Sequence, residues 1–207
     1  GVLMDKETGE PVRDAVGGDI ILSVDTFRAS VAEKAVGEWG ADIVNDISGG
    51  LLDEAMFSTV AALACPYILM HMRGTPATMQ TMTEYSDVLA DVIGELSCRK
   101  AQLEELGVAD IIIDPGFGFA KTAVQNYRML AGLEAFGLLG RPVLVGVSRK
   151  SMFTRELGIS AEEALPATTA ANAIALERGA AILRVHDVEA AVQAVEVVSR
   201  INQQPYV

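Results

Sequence analysis

The sequence is poor in aromatic residues, in cysteine and in positive charge, and each shortage excludes something. Aromatic residues make up 5% of the chain and hydrophobic residues 50%, so the core must consist mainly of aliphatic side chains and methionine. A formal net charge of −12, without any Lys/Arg-rich run, argues against a nucleic-acid-binding surface. An anionic ligand would therefore need basic residues gathered locally, against the overall negative field.

The two cysteines and the length of the apolar runs indicate the compartment in which the protein is expected to lie. Cys65 and Cys98 stand far apart in apolar or helical contexts, which indicates idle thiols in a reducing compartment rather than a disulfide. No apolar run approaches the ~20 residues of a membrane span. No basic segment followed by an apolar one indicates a signal peptide. We therefore predict a soluble, cytoplasmic protein, and 207 residues suit one domain.

Short aliphatic runs recur along the chain and predict six strands: Ile20–Val24, Asp42–Val44, Tyr67–Met70, Ile111–Ile113, Val143–Val147 and Ala181–Val185. They lack strict polar–apolar alternation, as expected of strands covered on both faces. Helical periodicity separates them. The alternation of strand and helix predicts a parallel sheet with right-handed crossovers.

Three of the intervening segments have an apolar helical face. In the first, Gly40 supplies the stop, and the face comprises Val31, Ala32, Ala35, Val36 and Trp39. A longer helix is expected to run to Leu106–Gly107, with a face of Tyr85, Val88, Leu89, Val92 and Leu96. The last helix has a face of Val188, Ala191, Val192, Val195 and Val198.

Polar residues follow every predicted strand: Asp25-Thr26, Asn45-Asp46, His71-Met72-Arg73, Asp114-Pro115-Gly116, Ser148-Arg149-Lys150 and Arg184-Val185-His186-Asp187. Parallel α/β folds place their ligand sites at this edge of the sheet. Helix capping is an equally good explanation for single residues among Asp25, Asp46 and Asp187. Capping does not explain four other side chains, which favour a ligand site: His71, Lys150, Arg184 and His186.

Six segments carry a family resemblance: S-V-D-T (23–26), I-V-N-D-I-S-G-G (43–50), L-M-H-M-R-G-T-P-A-T-M-Q (69–80), D-P-G-F-G-F-A-K-T (114–122), V-G-V-S-R-K-S (145–151) and R-V-H-D-V (184–188). Their ordered series, over about residues 18 to 200, resembles that of dihydropteroate synthases. The resemblance implies a (β/α)₈ TIM barrel. It also implies an enzyme that condenses 6-hydroxymethyl-7,8-dihydropterin pyrophosphate with p-aminobenzoate, giving 7,8-dihydropteroate and pyrophosphate.

The resemblance and the hydrogen-bonding edge of a pterin together suggest binding roles. Asp114 suits the amino and ring N–H groups, Asn45 suits mixed donor and acceptor contacts, and Asp25 lies on the other side of the ring. Met70 either covers the ring or simply packs in the core. Three further residues are expected to line the substrate site: Gly146, with Phe119 and Ser148 beside the aminobenzoate.

Three residues are expected to act in catalysis. Lys150 would reach the pterin carbonyl and a ring nitrogen. Arg184 and His186, two apart on one strand, would point the same way and clamp the departing pyrophosphate. The glycines of D-P-G-F-G would let the backbone approach the ligand, or simply form a turn. We interpret Lys121 as a solvated loop charge and leave it out of the site.

The sequence also departs from the pattern of the family. A (β/α)₈ barrel needs eight strands and ~250 residues, whereas six strands are predicted here. We expect one domain over residues 1–207, with a polar lead at 1–18 and strands three to eight at 19–202. The N-V-T-P-D-S-F-S-D-G-G-like and S-T-R-P-G-like segments of the family, the first with an asparagine for Mg²⁺, are absent. We therefore expect this chain alone to bind a pterin but to make no dihydropteroate.

Other hypotheses remain open at this point. A methyltetrahydrofolate-dependent methyltransferase of the same barrel would share the carboxylate and amide but needs no pyrophosphate clamp. A truncated, non-catalytic pterin-binding module is the second alternative. A nucleotide-binding doubly wound sheet would need a G-x-G-x-x-G or Walker-type loop, which the sequence lacks. The expected partners are the two small-molecule substrates, with neither nucleic acid nor membrane, and a second copy in a homodimer.

Overall fold

The computed structural model describes residues 20–203, and the predicted polar lead lies outside this range. The described residues form six strands: β1 Ser23–Asp25, β2 Ile43–Asp46, β3 Tyr67–Met70, β4 Ile111–Asp114, β5 Leu144–Val145 and β6 Ile182–Leu183. They also form seven α-helices: α1 Ala29–Gly37, α2 Met56–Leu63, α3 Val88–Glu105, α4 Ala123–Ala131, α5 Ser151–Leu157, α6 Leu165–Glu177 and α7 Val188–Asn202. Short 3₁₀ helices occupy Met79–Thr81 and Leu133–Leu139. None of the described helices is both long and apolar enough to cross a bilayer.

The described residues divide into two compact units. The first contains residues up to His71 together with Glu95–Ile112. The second contains Met72–Gly94 and the residues from Ile113 onward. Each unit has its own buried aliphatic and aromatic side chains.

The first unit is built on parallel strands in the order β1-β2-β3, with the first residues of β4 next in the sheet. In this register Val24 lies beside Val44 and Asp25 beside Asn45. All four residues of β3 are buried, which explains why this segment reads as a continuous apolar run. Helices α1 and α2 pack against each other.

A buried carboxylate fixes the loop after β2 in the first unit. Asp46 Oδ1 accepts hydrogen bonds from the backbone N and the hydroxyl of Ser48, both at 2.7 Å. Its Oδ2 accepts from Gly50 N and from the Tyr67 hydroxyl, both at 2.8 Å. Burial and the nearby carboxylate raise the pKa of Tyr67 well above its usual value of 10.0. Asp46 therefore holds this loop in place, and both of its carboxylate oxygens accept hydrogen bonds in doing so.

The second unit continues the parallel arrangement. Ile113 of β4 forms a parallel bridge with Val143, and β5 pairs with β6 in parallel, Leu144 beside Ile182. Helix α6 packs against α7. Asp87 precedes α3 and its carboxylate accepts from Leu89 N at 3.0 Å, which satisfies a backbone donor at the helix start.

Several predicted boundaries are wrong by a few residues. The first strand starts at Ser23, and Ile20 and Ile21 before it are exposed. The last two strands have two residues each instead of five. Helix α1 ends at Gly37, so Trp39 lies beyond it. Tyr85 likewise precedes α3 instead of belonging to its apolar face.

The predicted buried face of the last helix is also partly wrong. Ala191 and Val198 are buried as expected, together with Ala194. Val188, at 64% exposure, and Val192, at 61%, are instead open. The side of α7 that packs on α6 carries the small residues, because alanine allows close helix approach, and hydrophobicity alone does not distinguish that side.

Candidate functional site

The second unit gathers charged side chains around Asp114, at the carboxyl end of β4. This carboxylate is almost fully buried. Its Oδ1 accepts from Gly116 N at 2.8 Å, and its Oδ2 lies 3.5 Å from Nη1 of Arg184. Lys150, Arg184 and Lys121 all stabilise the charged carboxylate electrostatically. Three cations therefore face one buried anion, which leaves a local excess of positive charge in a protein of net charge −12.

Lys150 reaches into this cluster across the loop that follows β4. Its Nζ donates to the carbonyl oxygen of Phe117 and lies 5.0 Å from the ring centroid of Phe119. Gly118 has φ +81°, and a Cβ there would approach Lys150 Cδ to 3.1 Å. Glycine is therefore required at this position both by the left-handed backbone and by the path of the lysine side chain.

Burial shifts the pKa values of the two oppositely charged residues at the centre of the cluster. The pKa of Lys150 is lowered to about 8, chiefly by desolvation; Asp114 opposes this fall and Arg184 adds to it. Desolvation raises the pKa of Asp114, while Lys150, the Gly116 N–H and Arg184 oppose that rise. The lysine is therefore an ammonium donor at neutral pH that loses its proton under mildly alkaline conditions.

Arg184 and His186 do not share a strand, which corrects the geometry expected from their spacing. Strand β6 ends at Leu183, so both residues belong to the segment that follows it. Arg184 points to Asp114, whereas Nδ1 of His186 lies 2.9 Å from the hydroxyl of Ser148. The same hydroxyl accepts from the backbone N of His186 at 3.2 Å. Because the strand ends before these two residues, strand periodicity does not determine where their side chains point.

Lys121 was wrongly interpreted as a solvated loop charge. It is buried, and its Nζ donates to the carbonyl oxygens of Gly116 and Phe119, both at 3.0 Å. These bonds close the loop that carries Phe119 and Gly118. The signal that could have identified Lys121 is its position among apolar residues in G-F-G-F-A-K, where a side chain without access to water needs carbonyl partners.

In the first unit, the predicted site residues Asp25 and Asn45 contact each other. They are paired neighbours on β1 and β2, and Asn45 Nδ2 donates to Asp25 Oδ1 at 2.6 Å. The amide oxygen of Asn45 is fully buried and has no hydrogen-bond partner. Such an acceptor is costly to bury unless another group donates to it.

Two other residues at this end of the first unit are buried. Met70, the last residue of β3, is almost fully buried. His71 is also buried, and its Nε2 lies 3.1 Å from Oε2 of Glu95. A buried histidine held by a carboxylate supports the structure of the unit, so its position after a strand does not by itself indicate ligand binding.

The structure thus brings the predicted site residues together in two groups. Asp25, Asn45 and Met70 lie at the strand ends of the first unit. Seven lie in the second unit: Asp114, Phe119, Gly146, Ser148, Lys150, Arg184 and His186. Gly146 adjoins Arg184, since a Cβ at this glycine would lie 3.6 Å from Cβ of Arg184, an ordinary van der Waals distance. Among the described residues, no group of three or more His, Cys, Asp or Glu side chains is placed to hold a metal ion.

Comparison with known proteins gives close relatives over most of the chain. A dihydropteroate synthase of Synechocystis is 43% identical over 182 residues, which cover 86% of this chain and 63% of that protein. The chain therefore spans less than two thirds of the length of this relative. The crystal structure of dihydropteroate synthase from Stenotrophomonas maltophilia, with imidazole in its active site, superposes with a TM-score of 0.86 at 41% identity. That superposition covers 90% of this chain and 71% of that structure.

A third relative was solved with a bound ligand. The dihydropteroate synthase of Xanthomonas albilineans in complex with 7,8-dihydropteroate superposes with a TM-score of 0.84 at 37% identity, over 93% of this chain and 72% of that one. These likenesses confirm the predicted fold class, in which the strand–helix units seen here form part of a (β/α)₈ TIM barrel. Residues 10–186 match the family described as pterin binding enzyme, and the chain therefore belongs to that family.

Proposed function

We propose that this chain carries the pterin and pyrophosphate machinery of a dihydropteroate synthase. The reaction condenses 6-hydroxymethyl-7,8-dihydropterin pyrophosphate with p-aminobenzoate to give 7,8-dihydropteroate and pyrophosphate. The observation that carries the proposal is the buried carboxylate of Asp114 surrounded by Lys150, Arg184 and Lys121. A carboxylate accepts hydrogen bonds from the N–H groups of the pterin ring, and the surplus positive charge attracts the diphosphate.

Asp114 and Lys150 are proposed to bind the pterin ring from the second unit. Asp114 Oδ2 accepts from the 2-amino and ring N–H groups, which are donors on the same edge of the ring. The Lys150 ammonium donates to the pterin carbonyl and a ring nitrogen. Phe119 and Ser148 border the aminobenzoate, and Gly146 lines the substrate site beside Arg184. Because the carboxylate is already desolvated in the free protein, a ligand that lacks these donors would leave Oδ2 without a hydrogen bond from the ligand.

Asp25, Asn45 and Met70 of the first unit are proposed to bind the pterin as well. The resemblance assigns them this role, and the unpartnered amide oxygen of Asn45 supports it, since a pterin N–H would satisfy that acceptor. Asp25 holds the amide by accepting from its Nδ2 at 2.6 Å. The sulfur and methylenes of Met70 give an apolar face on which a flat ring can lie.

Arg184 and His186 are proposed to stabilise the departing pyrophosphate. The bond between the pterin methylene carbon and the diphosphate oxygen breaks, and its electron pair leaves with the pyrophosphate. The amino nitrogen of p-aminobenzoate then forms a bond to that carbon and loses a proton. Negative charge grows on the leaving oxygen as the bond breaks, so cations aimed there bind the transition state more strongly than the substrate.

Three further parts of the proposal depend on the family resemblance. We propose Mg²⁺ as the metal that accompanies the pyrophosphate, a homodimer as the assembly and the cytoplasm as the location. The described residues offer no cluster of three or more acidic, histidine or cysteine ligands, so they do not by themselves fit a protein-held metal site. No step above is therefore assigned to the metal.

Calorimetric titration of the 207-residue chain with a dihydropterin analogue tests the proposal. Asp114→Asn removes a charge-assisted acceptor and should weaken binding by about 1.5–3 kcal/mol, or about 10- to 100-fold. Asp87→Asn is the matched control, because Asp87 lies in the same unit and pairs with Arg128 at the surface. Equal affinity in the two variants would overturn the role of Asp114. A second titration uses a dihydropterin analogue that carries a diphosphate, with pyrophosphate added as a competitor. Displacement of the analogue by pyrophosphate would separate this enzyme from a methyltransferase of the same barrel, which needs no pyrophosphate site.

A further inference from the structure

Arg149 stands between two proposed site residues, Ser148 and Lys150, with an unusual backbone conformation. Its φ is +54°, in the left-handed region that non-glycine residues seldom adopt. Such a conformation persists only where surrounding contacts hold it. The contacts of Arg149 therefore determine the backbone position of Lys150, the next residue.

The backbone and the guanidinium of Arg149 are both held by the protein. Its backbone N donates to the hydroxyl of buried Thr168 at 3.0 Å. Nε donates to Asp187 Oδ2 at 2.9 Å and Nη2 donates to Asp187 Oδ1 at 2.6 Å. Nη1 lies 3.3 Å from the carbonyl oxygen of Ala161. The two parallel bonds form the bidentate geometry that fixes the orientation of an arginine most strongly.

These contacts join the two segments that carry the proposed chemistry. Asp187 directly follows His186, and Ser148 directly precedes Arg149. The bond between Ser148 and His186 and the ion pair between Arg149 and Asp187 are therefore adjacent cross-links between residues 148–150 and 184–187. The backbone bond from Arg184 N to Val145 O, at 2.9 Å, completes the connection.

We propose that Arg149, through its ion pair with Asp187, is a positioning residue that holds the Lys150 ammonium in place beside Asp114 and Arg184. This inference rests on the proposed function, because the guanidinium of Arg149 contacts Asp187 and would affect catalysis only through Lys150. A surface ion pair that only adds stability is the alternative. The pair between Arg178 and Glu134 in the same unit, at 3.0 Å, serves as the reference for that alternative.

The test uses variants that separate backbone strain from the ion pair. Arg149→Gly keeps the left-handed backbone and deletes the guanidinium, while Asp187→Asn keeps the shape of the partner and deletes its charge. Glu134→Gln is the control. We expect the first two variants to weaken binding of a dihydropterin analogue about tenfold in calorimetry, with melting temperatures close to that of Glu134→Gln. The charge-swapped pair, Arg149→Asp with Asp187→Arg, should recover part of the affinity.

A second readout does not depend on any ligand. The ¹³Cε resonance of Lys150 in specifically labelled protein reports the pH at which its ammonium loses the proton, and Asp114 and Arg184 are the charges that face it. We expect this midpoint to shift in Arg149→Gly and in Asp187→Asn but not in Glu134→Gln. An unchanged midpoint in all three variants would overturn the positioning role. A shifted midpoint in a protein that binds neither pyrophosphate nor pterin would retain the positioning role and overturn the proposed function.

Discussion

Alkaline pH should stabilise this protein through Lys150, and replacement of that residue should abolish the effect. In the folded chain the pKa of Lys150 falls from 10.5 to about 8, chiefly through burial. At about 1.4 kcal/mol for each tenfold change in the proton dissociation constant, this fall corresponds to about 3 kcal/mol. Below pH 8 the folded protein bears the whole cost of a charged, buried ammonium.

The sign of the effect follows from the protons bound in each state. Between pH 8 and 10.5 the unfolded chain keeps the proton of Lys150 while the folded chain has released it, so stability rises with pH. From pH 7 to pH 10 the gain should be about 2–3 kcal/mol. Lys150→Met has no amine to titrate and should lack this gain. Other groups titrate in both proteins and cancel in the comparison.

Urea denaturation at pH 7 and pH 10, followed by circular dichroism, measures the difference directly. Lys100→Met is the matched control, because Lys100 forms a surface pair with Glu104 at 3.0 Å on α3 and should retain the wild-type pH dependence. A difference between wild type and Lys150→Met that is equal at the two pH values would refute the reasoning. Affinity for a dihydropterin analogue should show the opposite trend and weaken above pH 8, since the pterin carbonyl needs the Lys150 ammonium as its donor.

Two further predictions concern the stability of the protein, one through a glycine and one through a buried hydroxyl of the first unit. Gly49→Ala should destabilise the protein by about 2–4 kcal/mol in urea denaturation, because its φ is +57° and the new Cβ would overlap a carbonyl oxygen of β3. Gly107→Ala, at φ +86° with open space around it, should cost only about 1–2 kcal/mol; equal costs would contradict the steric argument. Tyr67→Phe should cost about 1–3 kcal/mol, since it removes a donor at 2.8 Å from the buried Asp46 carboxylate. Tyr127→Phe, at a more exposed hydroxyl, should lower the melting temperature less, and the reverse order would show that the Asp46 network is not the cause.

The strand positions were largely predictable because burial on both faces leaves a clear pattern. Tyr67–Met70 was predicted with its observed bounds, since four consecutive buried residues form an unbroken apolar run. Val143–Val147 and Ala181–Val185 were predicted too long. Most of their outer residues are apolar, but the parallel pairing that defines β5 and β6 covers only two residues of each. Apolar character predicts burial, whereas strand length depends on pairing.

The roles of charged residues were harder to predict than their positions. Lys121 resembles a solvent-exposed lysine in sequence, yet it is buried because two carbonyl groups of its own loop satisfy its ammonium. His71 follows a strand as a site residue would, but Glu95, 24 positions away, provides its partner. A charged residue is placed by partners that local sequence does not reveal.

By itself the sequence determined the alternation of strand and helix, the six polar strand exits and the family to which the chain belongs. These features are local, because each depends on residues within one strand or one loop. The order of the motifs along the chain can also be recognised without knowing which residues are in contact. Only the tertiary structure decided which exits meet. Ser148 and His186 are 38 positions apart, as are Arg149 and Asp187, and strand register brings each pair within 3 Å. Such distances are fixed by hydrogen bonding between whole strands, which no single stretch of sequence encodes.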